Sequence, residues 1–278
     1  MPIALAGIGF SMARRHANPR IKRALGGAFL ASASLFLFLH AAAAQPAAAA
    51  QPTAAKCVLK AKPDTLFSLM QCCVADLRSS PDCRSYNAAD KYVIIKDNGR
   101  KKPAAYLIVP STKVTGVEDP KIFAAPYVDL WQYAWNASRR YLNEPAAVTG
   151  LAINSLHGRD QNQLHIHISC VSGAVAQTLA ANERKIGSDP AKPFAIPLGP
   201  HGDRYEVLKL TSLSGASSPF TLVRQIPGAR DHMADQSIAV IGSQTQGLYY
   251  LADSFTHAGN SGFAEELLDQ TCGRKSSP

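Results

Sequence analysis

The residues best suited to chemistry lie in one run, Asn154-Ser-Leu-His-Gly-Arg-Asp-Gln-Asn-Gln-Leu-His-Ile-His-Ile-Ser-Cys170. On an extended strand side chains alternate, so His165, His167 and Ser169 share one face while Leu164, Ile166 and Ile168 share the other. Two imidazoles opposite an aliphatic face suit a neutral nucleophile beside a residue that orients it. The same pair could supply two zinc ligands, with a third from His157, His201 or His232. A plainer reading makes both histidines hydrogen-bonded surface groups on a polar strand. Asn154, Arg159, Gln161 and Asn162 come just before the pair, and this concentration of polar groups weighs against that plainer reading. No Gly-Lys-Ser/Thr follows Gly150 or Gly158, so neither glycine opens a phosphate loop.

The elements that must hold this run are short strands and amphipathic helices. Leu66, Phe67, Leu69, Met70, Cys73 and Leu77 recur at three- and four-residue spacing, which predicts a helix capped by Asp64 and ending near Ser79-Ser80-Pro81. Residues 92–95 and 105–109 are β-branched runs joined through Asp97-Asn98-Gly99-Arg100, the pattern of a hairpin. A helix follows over 127–142, with Trp131 and Trp135 read as core. Strands are expected at 148–153 and 164–171, separated by a polar turn. Beyond them the pattern gives a helix at 174–183, a Pro/Gly-rich loop at 188–202, a strand at 205–210 and a helix within 219–223. A helix or strand at 234–241, a strand at 247–252 and a helix at 261–268 complete the chain. Interleaved groups with short connections favour an α+β fold, a mainly antiparallel sheet with flanking helices. Lys101 and Lys102, with Arg100, read as a solvated hairpin tip.

Of the formal charge of +9, Arg14, Arg15, Arg20, Lys22 and Arg23 carry +5, which leaves +4 on the rest. That remainder has no Lys/Arg block that tracks a nucleic-acid backbone, so no nucleic-acid partner is expected. Charged residues make up 18% and hydrophobic residues 46% of the chain, a balance that excludes a disordered or coiled-coil protein. Residues 1–23 form a basic region expected to stay cytoplasmic, and 24–44 are apolar. As a helix this stretch would span about 31 Å, close to the ~30 Å hydrocarbon core of a bilayer. It therefore reads as a signal anchor, or, since Ala42-Ala43-Ala44 offers a small-residue cleavage site, as a signal peptide. Residues 45–56, rich in Ala, Pro and Gln, form a flexible tether, and 57–278 make one domain on the exported side. All six cysteines, Cys57, Cys72, Cys73, Cys83, Cys170 and Cys272, lie beyond the leader and suggest disulfides, with a local staple among the first four.

The run around His165 and His167 resembles the histidine-triad family of nucleotide hydrolases and transferases. It is more closely similar to the bacterial CDP-diacylglycerol pyrophosphatases, through Ile153-Asn154-Ser155, Gly158-Arg159, Gln161-Asn162 and His165-Ile-His167-Ile-Ser169-Cys170. Asp97, Tyr106-Leu-Ile-Val-Pro110 and Thr115-Gly-Val-Glu-Asp-Pro120 extend the resemblance upstream, so that it covers about residue 57 to the C-terminus. It implies a histidine-triad-like α+β fold and hydrolysis of CDP-diacylglycerol to CMP and phosphatidate through a nucleotidyl-histidine. It assigns the nucleophile to His167, tautomer control and a phosphate contact to His165, and phosphate contacts to Asn154, Gln161 and Asn162. Asp97 matches the acidic residue that holds the ribose hydroxyls. Ser169 stands where the third histidine of the triad would be, and Ala105 where a fourth family histidine falls on the hairpin. Arg159 is a further donor to the phosphates. No cofactor or divalent cation is required, and the expected setting is the bacterial inner membrane, single-pass, with the catalytic domain periplasmic. A zinc-dependent hydrolase built on His165 and His167, and a periplasmic hydrolase of soluble nucleotides, are the alternatives.

Overall fold

The computed structural model describes residues 57–98, 101–256 and 259–274. The leader and tether of the sequence reading, residues 1–56, lie outside the described residues. The described residues form an antiparallel α+β structure, as the pattern of short strands and helices predicts. Its strands are β1 (Cys83–Asn87), β2 (Tyr92–Lys96), β3 (Tyr106–Pro110), β4 (Thr149–Ile153), β5 (Ile166–Val171), β6 (Phe194–Leu198), β7 (Asp203–Leu210), β8 (Gln236–Gly242), β9 (Tyr249–Phe255) and β10 (Leu268–Asp269). They form one sheet in the order β1-β2-β3-β5-β4-β8-β9-β7-β6. The short β10 pairs with the end of β5, through Leu268 opposite Val171 and Asp269 opposite Cys170. Four α-helices accompany the sheet: α1 (Thr65–Ala75), α2 (Leu130–Tyr141), α3 (Gly173–Asn182) and α4 (Pro219–Val223).

Alternation along the strands sends apolar side chains to both faces, and three clusters of buried residues result. On one face Ile108, Leu151, Ile166, Ile168, Val240 and Leu251 pack against Trp131 of α2 and Phe220 of α4. Trp131 is fully buried and Trp135 nearly so, as core readings require. On the opposite face α3 brings Val175 and Leu179 onto Ala152, Val207, Ile241 and Ala252. At the other end of that face Leu66, Met70 and Cys73 of α1 cover Val93, Ile95, Leu107 and Val109. The α1 and α3 clusters leave a gap between them above β3, β5 and β4. His167 pairs with Leu107 on one side and Ala152 on the other, so its side chain emerges in that gap.

Three disulfides, Cys57–Cys72, Cys73–Cys83 and Cys170–Cys272, engage all six cysteines. The first two are the local staple, and they tie α1 to the segment before it and to β1. Such cross-links fit an oxidising compartment. Among the described residues no helix is long and apolar enough to cross a membrane.

Several sequence expectations are corrected. Asp64 gives α1 no side-chain cap; its carboxylate pairs with Lys113 at 3.1 Å, and Gln161 Oε1 accepts the Leu66 N–H at 2.9 Å instead. The Pro/Gly-rich stretch 188–202 contains β6, an edge strand whose Pro197 removes one ladder donor without breaking the pairing to β7. Residues 264–267 make a 3-10 turn that leads into β10 rather than a longer helix. β1 has a polar composition, Cys-Arg-Ser-Tyr-Asn, that gave no alternating signal.

Candidate active site

Buried glutamine Gln163 fixes where the histidines begin. Its amide donates to the carbonyls of Pro110 at 3.0 Å and Thr112 at 2.9 Å, and the Leu164 N–H donates to Val114 O at 2.7 Å. These bonds seal the 154–164 turn against the chain that leaves β3. Beyond it His165 and His167 project into the gap with ring centroids 4.8 Å apart and planes inclined by 67°. His165 Nδ1 lies 2.8 Å from Gln163 O, so that nitrogen carries the proton and Nε2 keeps its lone pair.

His167 stands at the back of a cavity of about 350 Å³ lined by Leu66, Leu69, Lys102, Gln161, His165 and Glu265, among others. Its ring is 7% exposed and neither nitrogen has a hydrogen-bond partner. Burial holds the imidazolium well below the ordinary histidine range, and the neighbouring Glu265 offsets this only in part. Burial lowers His165 in the same direction, against the pull of the Gln163 carbonyl. Both rings are therefore neutral near pH 7, and an unpartnered neutral imidazole facing a cavity is a competent nucleophile.

Glu265, unread in the sequence, faces His167. Its Oε2 lies 3.3 Å from His167 Nε2 without forming a hydrogen bond to it. Lys102 Nζ bridges Glu265 Oε1 at 2.7 Å and Asp97 Oδ2 at 3.0 Å. Burial pushes the Glu265 carboxyl up, but His167, Lys102 and Asn154 outweigh it and hold the group below the usual carboxylate range. Lys102 is thus turned into the site instead of solvating the hairpin tip. Lys96, beside it, is spent on the carbonyls of Asp97, Lys102 and Ala105, which close the turn between β2 and β3.

The remaining sequence candidates divide. Asn154, Asp97, Arg159 and Gln161 line the cavity with the two histidines. Asn154 exchanges two hydrogen bonds with Glu265, accepting its main-chain N–H at 3.0 Å and donating to Oε2 at 3.3 Å. Arg159 is forked onto Glu118 by two bonds of 2.7 Å, so its charge is already answered. Asn162 is half-buried next to Gln161, and its main-chain N–H bonds Pro63 O at 3.0 Å. Ser169 is fully buried beneath the site, its single hydroxyl proton shared between Ala104 O at 2.9 Å and Asp269 O at 3.0 Å.

Among the described residues no third histidine joins the pair. His157 and His232 are held by Asp235 at 2.8 and 3.4 Å, and His201 by Glu266 at 2.6 Å. Among the described residues the group with ligand atoms close enough for a metal is Asp97, His167 and Glu265, within 4.8 Å of one another. Lys102 already binds both carboxylates of that group.

Glu265 reaches the site because the C-terminal segment folds back beside the 154–158 turn. Ser155 N–H donates to Gly262 O at 3.0 Å, and a Cβ on Gly158 would come 2.2 Å from the same oxygen. The Cys170–Cys272 disulfide fastens this segment to the strand that carries His167. The even cysteine count was the sequence signal for that fastening, although the partner was not legible.

The family model described as CDP-diacylglycerol pyrophosphatase matches residues 61–276. A CDP-diacylglycerol pyrophosphatase of Yersinia pestis is 31% identical over 222 residues, covering 75% of this chain and 84% of that protein. Two solved structures of yeast Ap4A phosphorylase Apa2 are also similar. The complex with Ap4A has a TM-score of 0.38 and 15% identity, over 60% of this chain and 57% of that one. The structure described without Ap4A has a TM-score of 0.38 and 14% identity, over 65% and 62%.

Proposed function

The chain belongs to the CDP-diacylglycerol pyrophosphatase family and hydrolyses the pyrophosphate of that lipid nucleotide, and we propose that the reaction passes through a nucleotide linked to His167 Nε2. The observation that carries this reading is the buried, unpartnered and neutral His167 at the back of the cavity. Nε2 attacks the phosphorus that bears the cytidine. The bond to the bridging oxygen breaks, its electron pair leaves with phosphatidate, and a cytidylyl group remains on the imidazole. Water then opens the phosphorus–nitrogen bond and CMP departs. A histidine-triad mechanism of this kind is supported by the His165-Ile-His167 run that enters β5 and by the Nδ1 bond that fixes the His165 tautomer.

Charge on the nonbridging oxygens is met by groups with donors to spare. Gln161 has its carbonyl oxygen bound to Leu66 N, which leaves its amide hydrogens to face the cavity. Lys62, exposed and paired with Asp160, can exchange that partner for a phosphate. His165 Nε2 becomes a donor only if protonated, so its main service is to pack beside His167. Asp97 is the candidate for the ribose hydroxyls, with Lys102 holding its carboxylate in place. Leu66, Leu69 and Phe263 give the cavity an apolar wall for the lipid portion. In this reading the 24–44 segment anchors the domain in the bacterial inner membrane, with 45–56 as its tether and 57–278 as a periplasmic hydrolase; a cleaved leader would leave it periplasmic.

The test uses detergent-solubilised full chain and His167→Ala, each with CDP-diacylglycerol and a chelator, and follows CMP. Release by the wild type alone is the expected result. A wild type silenced by chelator and restored by zinc would favour the metal alternative, for which Asp97, His167 and Glu265 are the available ligands.

A further inference from the structure

Glu265 uses its two oxygens differently. Oε1 receives Lys102 Nζ at 2.7 Å and the Gln270 amide, and so is anchored. Oε2 faces His167 Nε2 at 3.3 Å and takes one long bond, 3.3 Å, from Asn154 Nδ2. Oε2 approaches Nε2 without making a hydrogen bond to it, so the carboxylate does not tie up the ring nitrogen. It flanks the place where a phosphorus bonded to Nε2 must sit. Fixed negative charge there repels an incoming phosphate, and Lys102 on Oε1 moderates that repulsion without covering Oε2. The Glu265 main-chain N–H, bound to Asn154 Oδ1 at 3.0 Å, and the Cys170–Cys272 fastening further along the segment keep the carboxylate at this depth.

We propose that Glu265 is a catalytic residue of the second half-reaction, its Oε2 taking a proton from the water that opens the nucleotidyl–His167 bond. The proposal rests on the nucleotidyl-histidine reading. The water oxygen bonds to phosphorus, one of its protons passes to Oε2, and the phosphorus–nitrogen bond breaks with its electron pair returning to Nε2. Neutral imidazole and CMP result, and Glu265 then yields the proton to solvent. The carboxylate is held ionised by Lys102 and Asn154, so it is available to take the proton as the oxygen–phosphorus bond forms. The first half-reaction has no water to deprotonate, so it does not need this group.

The experiment follows phosphatidate and CMP separately in rapid-quench reactions of the full chain in detergent, for wild type, Glu265→Gln, Glu265→Asp and His167→Ala. Glu265→Gln should release about one phosphatidate per enzyme in a burst and accumulate a nucleotidyl adduct, while steady CMP release falls ~100-fold or more. Fluoride, which has no proton to lose, should speed discharge of that adduct as the nucleotidyl fluoride. A parallel loss of both products in folded Glu265→Gln, or CMP release at the wild-type rate, would overturn the proposal. If the glutamine variant does not fold, Glu265→Asp decides by the same criterion, since it keeps the charge and withdraws the oxygen. An active wild type with no adduct in any variant, or a wild-type burst from His167→Ala, would instead overturn the nucleotidyl-histidine reading.

Discussion

Ser169 Oγ lies 3.0 Å from the carbonyl oxygen of Asp269, and the same hydroxyl reaches Ala104 O at 2.9 Å. One buried hydroxyl thus joins the strand of His167 to the C-terminal segment and to the chain leading into β3. The residue that stands at the third histidine position of the triad is a fastener beneath the site. Ser169→Ala should lower stability by about 1–3 kcal/mol, the usual penalty for stranding buried acceptors. Thermal denaturation and kcat measured on one preparation check this. A fall in melting temperature with kcat within a few-fold of wild type is expected, whereas a large loss of kcat at unchanged stability would return Ser169 to the chemistry.

The covalent fastening acts on the same segment. Cys170 follows His167 by three positions, and Cys272 follows Glu265 by seven. A loop closed across a separation of 102 residues restricts the unfolded chain by about 4.7 kcal/mol in the chain-entropy account. The double variant Cys170→Ser/Cys272→Ser should lose several kcal/mol of stability. It should also lose turnover at temperatures where the protein is still folded, because the segment that presents Glu265 is then held by the β10 pairing and a few hydrogen bonds. Circular dichroism and CMP release, compared across temperature, make the check. Loss of activity only in step with global unfolding would show that the disulfide does not position the site.

The buried histidines give a pH dependence with a definite sign. His167 and His165 are both lowered, chiefly by burial, so the folded state resists protonation that the unfolded chain accepts near the reference value of about 6.5. Between that value and the lower folded ones the unfolded state binds more protons, and stability therefore falls as pH falls. Activity should persist below the same point, since the nucleophile stays neutral, and the acid limb of kcat/KM should lie below the ordinary histidine range. Denaturant titrations and pH–rate profiles of wild type and His167→Gln measure both. The variant should flatten part of the stability slope between pH 6.5 and the acid limit, and an acid limb at or above 6.5 would contradict the burial argument.

The parts of this protein that were legible in the sequence are those with strong local periodicity. The β2–β3 hairpin, the 130–141 helix and the alternation of His165, His167 and Ser169 against the aliphatic face all follow from apolar spacing, and the structure reproduces them. Alternation also placed His167 on the correct face, since it depends on a strand of period two and on little else. What stayed hidden was set by long-range packing. Glu265 and Lys102 meet across a separation of 163 residues, and neither has a local pattern that marks it as facing a site. Arg159 looked free to bind phosphate because Glu118, which takes both arms of its fork, lies 41 residues earlier. β1 and β6 form at sheet edges, where pairing with a neighbour overrides weak intrinsic preference.

Gln161 lines the cavity and also has a structural role that its sequence position did not suggest. Its Oε1 accepts the Leu66 N–H at 2.9 Å, closing the first turn of α1, a bond that the sequence assigned to Asp64. The amide hydrogens of the same side chain are left toward the cavity, beside His165 and His167. Gln161→Ala should therefore do two things at once. Loss of a helix cap costs about 0.5–2 kcal/mol, which differential scanning calorimetry reads as a lower melting temperature. Loss of the donor removes a contact to a phosphoryl oxygen, and kcat/KM should fall by about tenfold to a hundredfold, the range for one hydrogen bond to a charged group. Gln161→Glu separates the effects: its carboxylate can still accept from Leu66 N–H, so stability should recover, while repulsion of the phosphates should leave kcat/KM as low as in the alanine variant or lower. Recovery of both would place Gln161 in the scaffold alone.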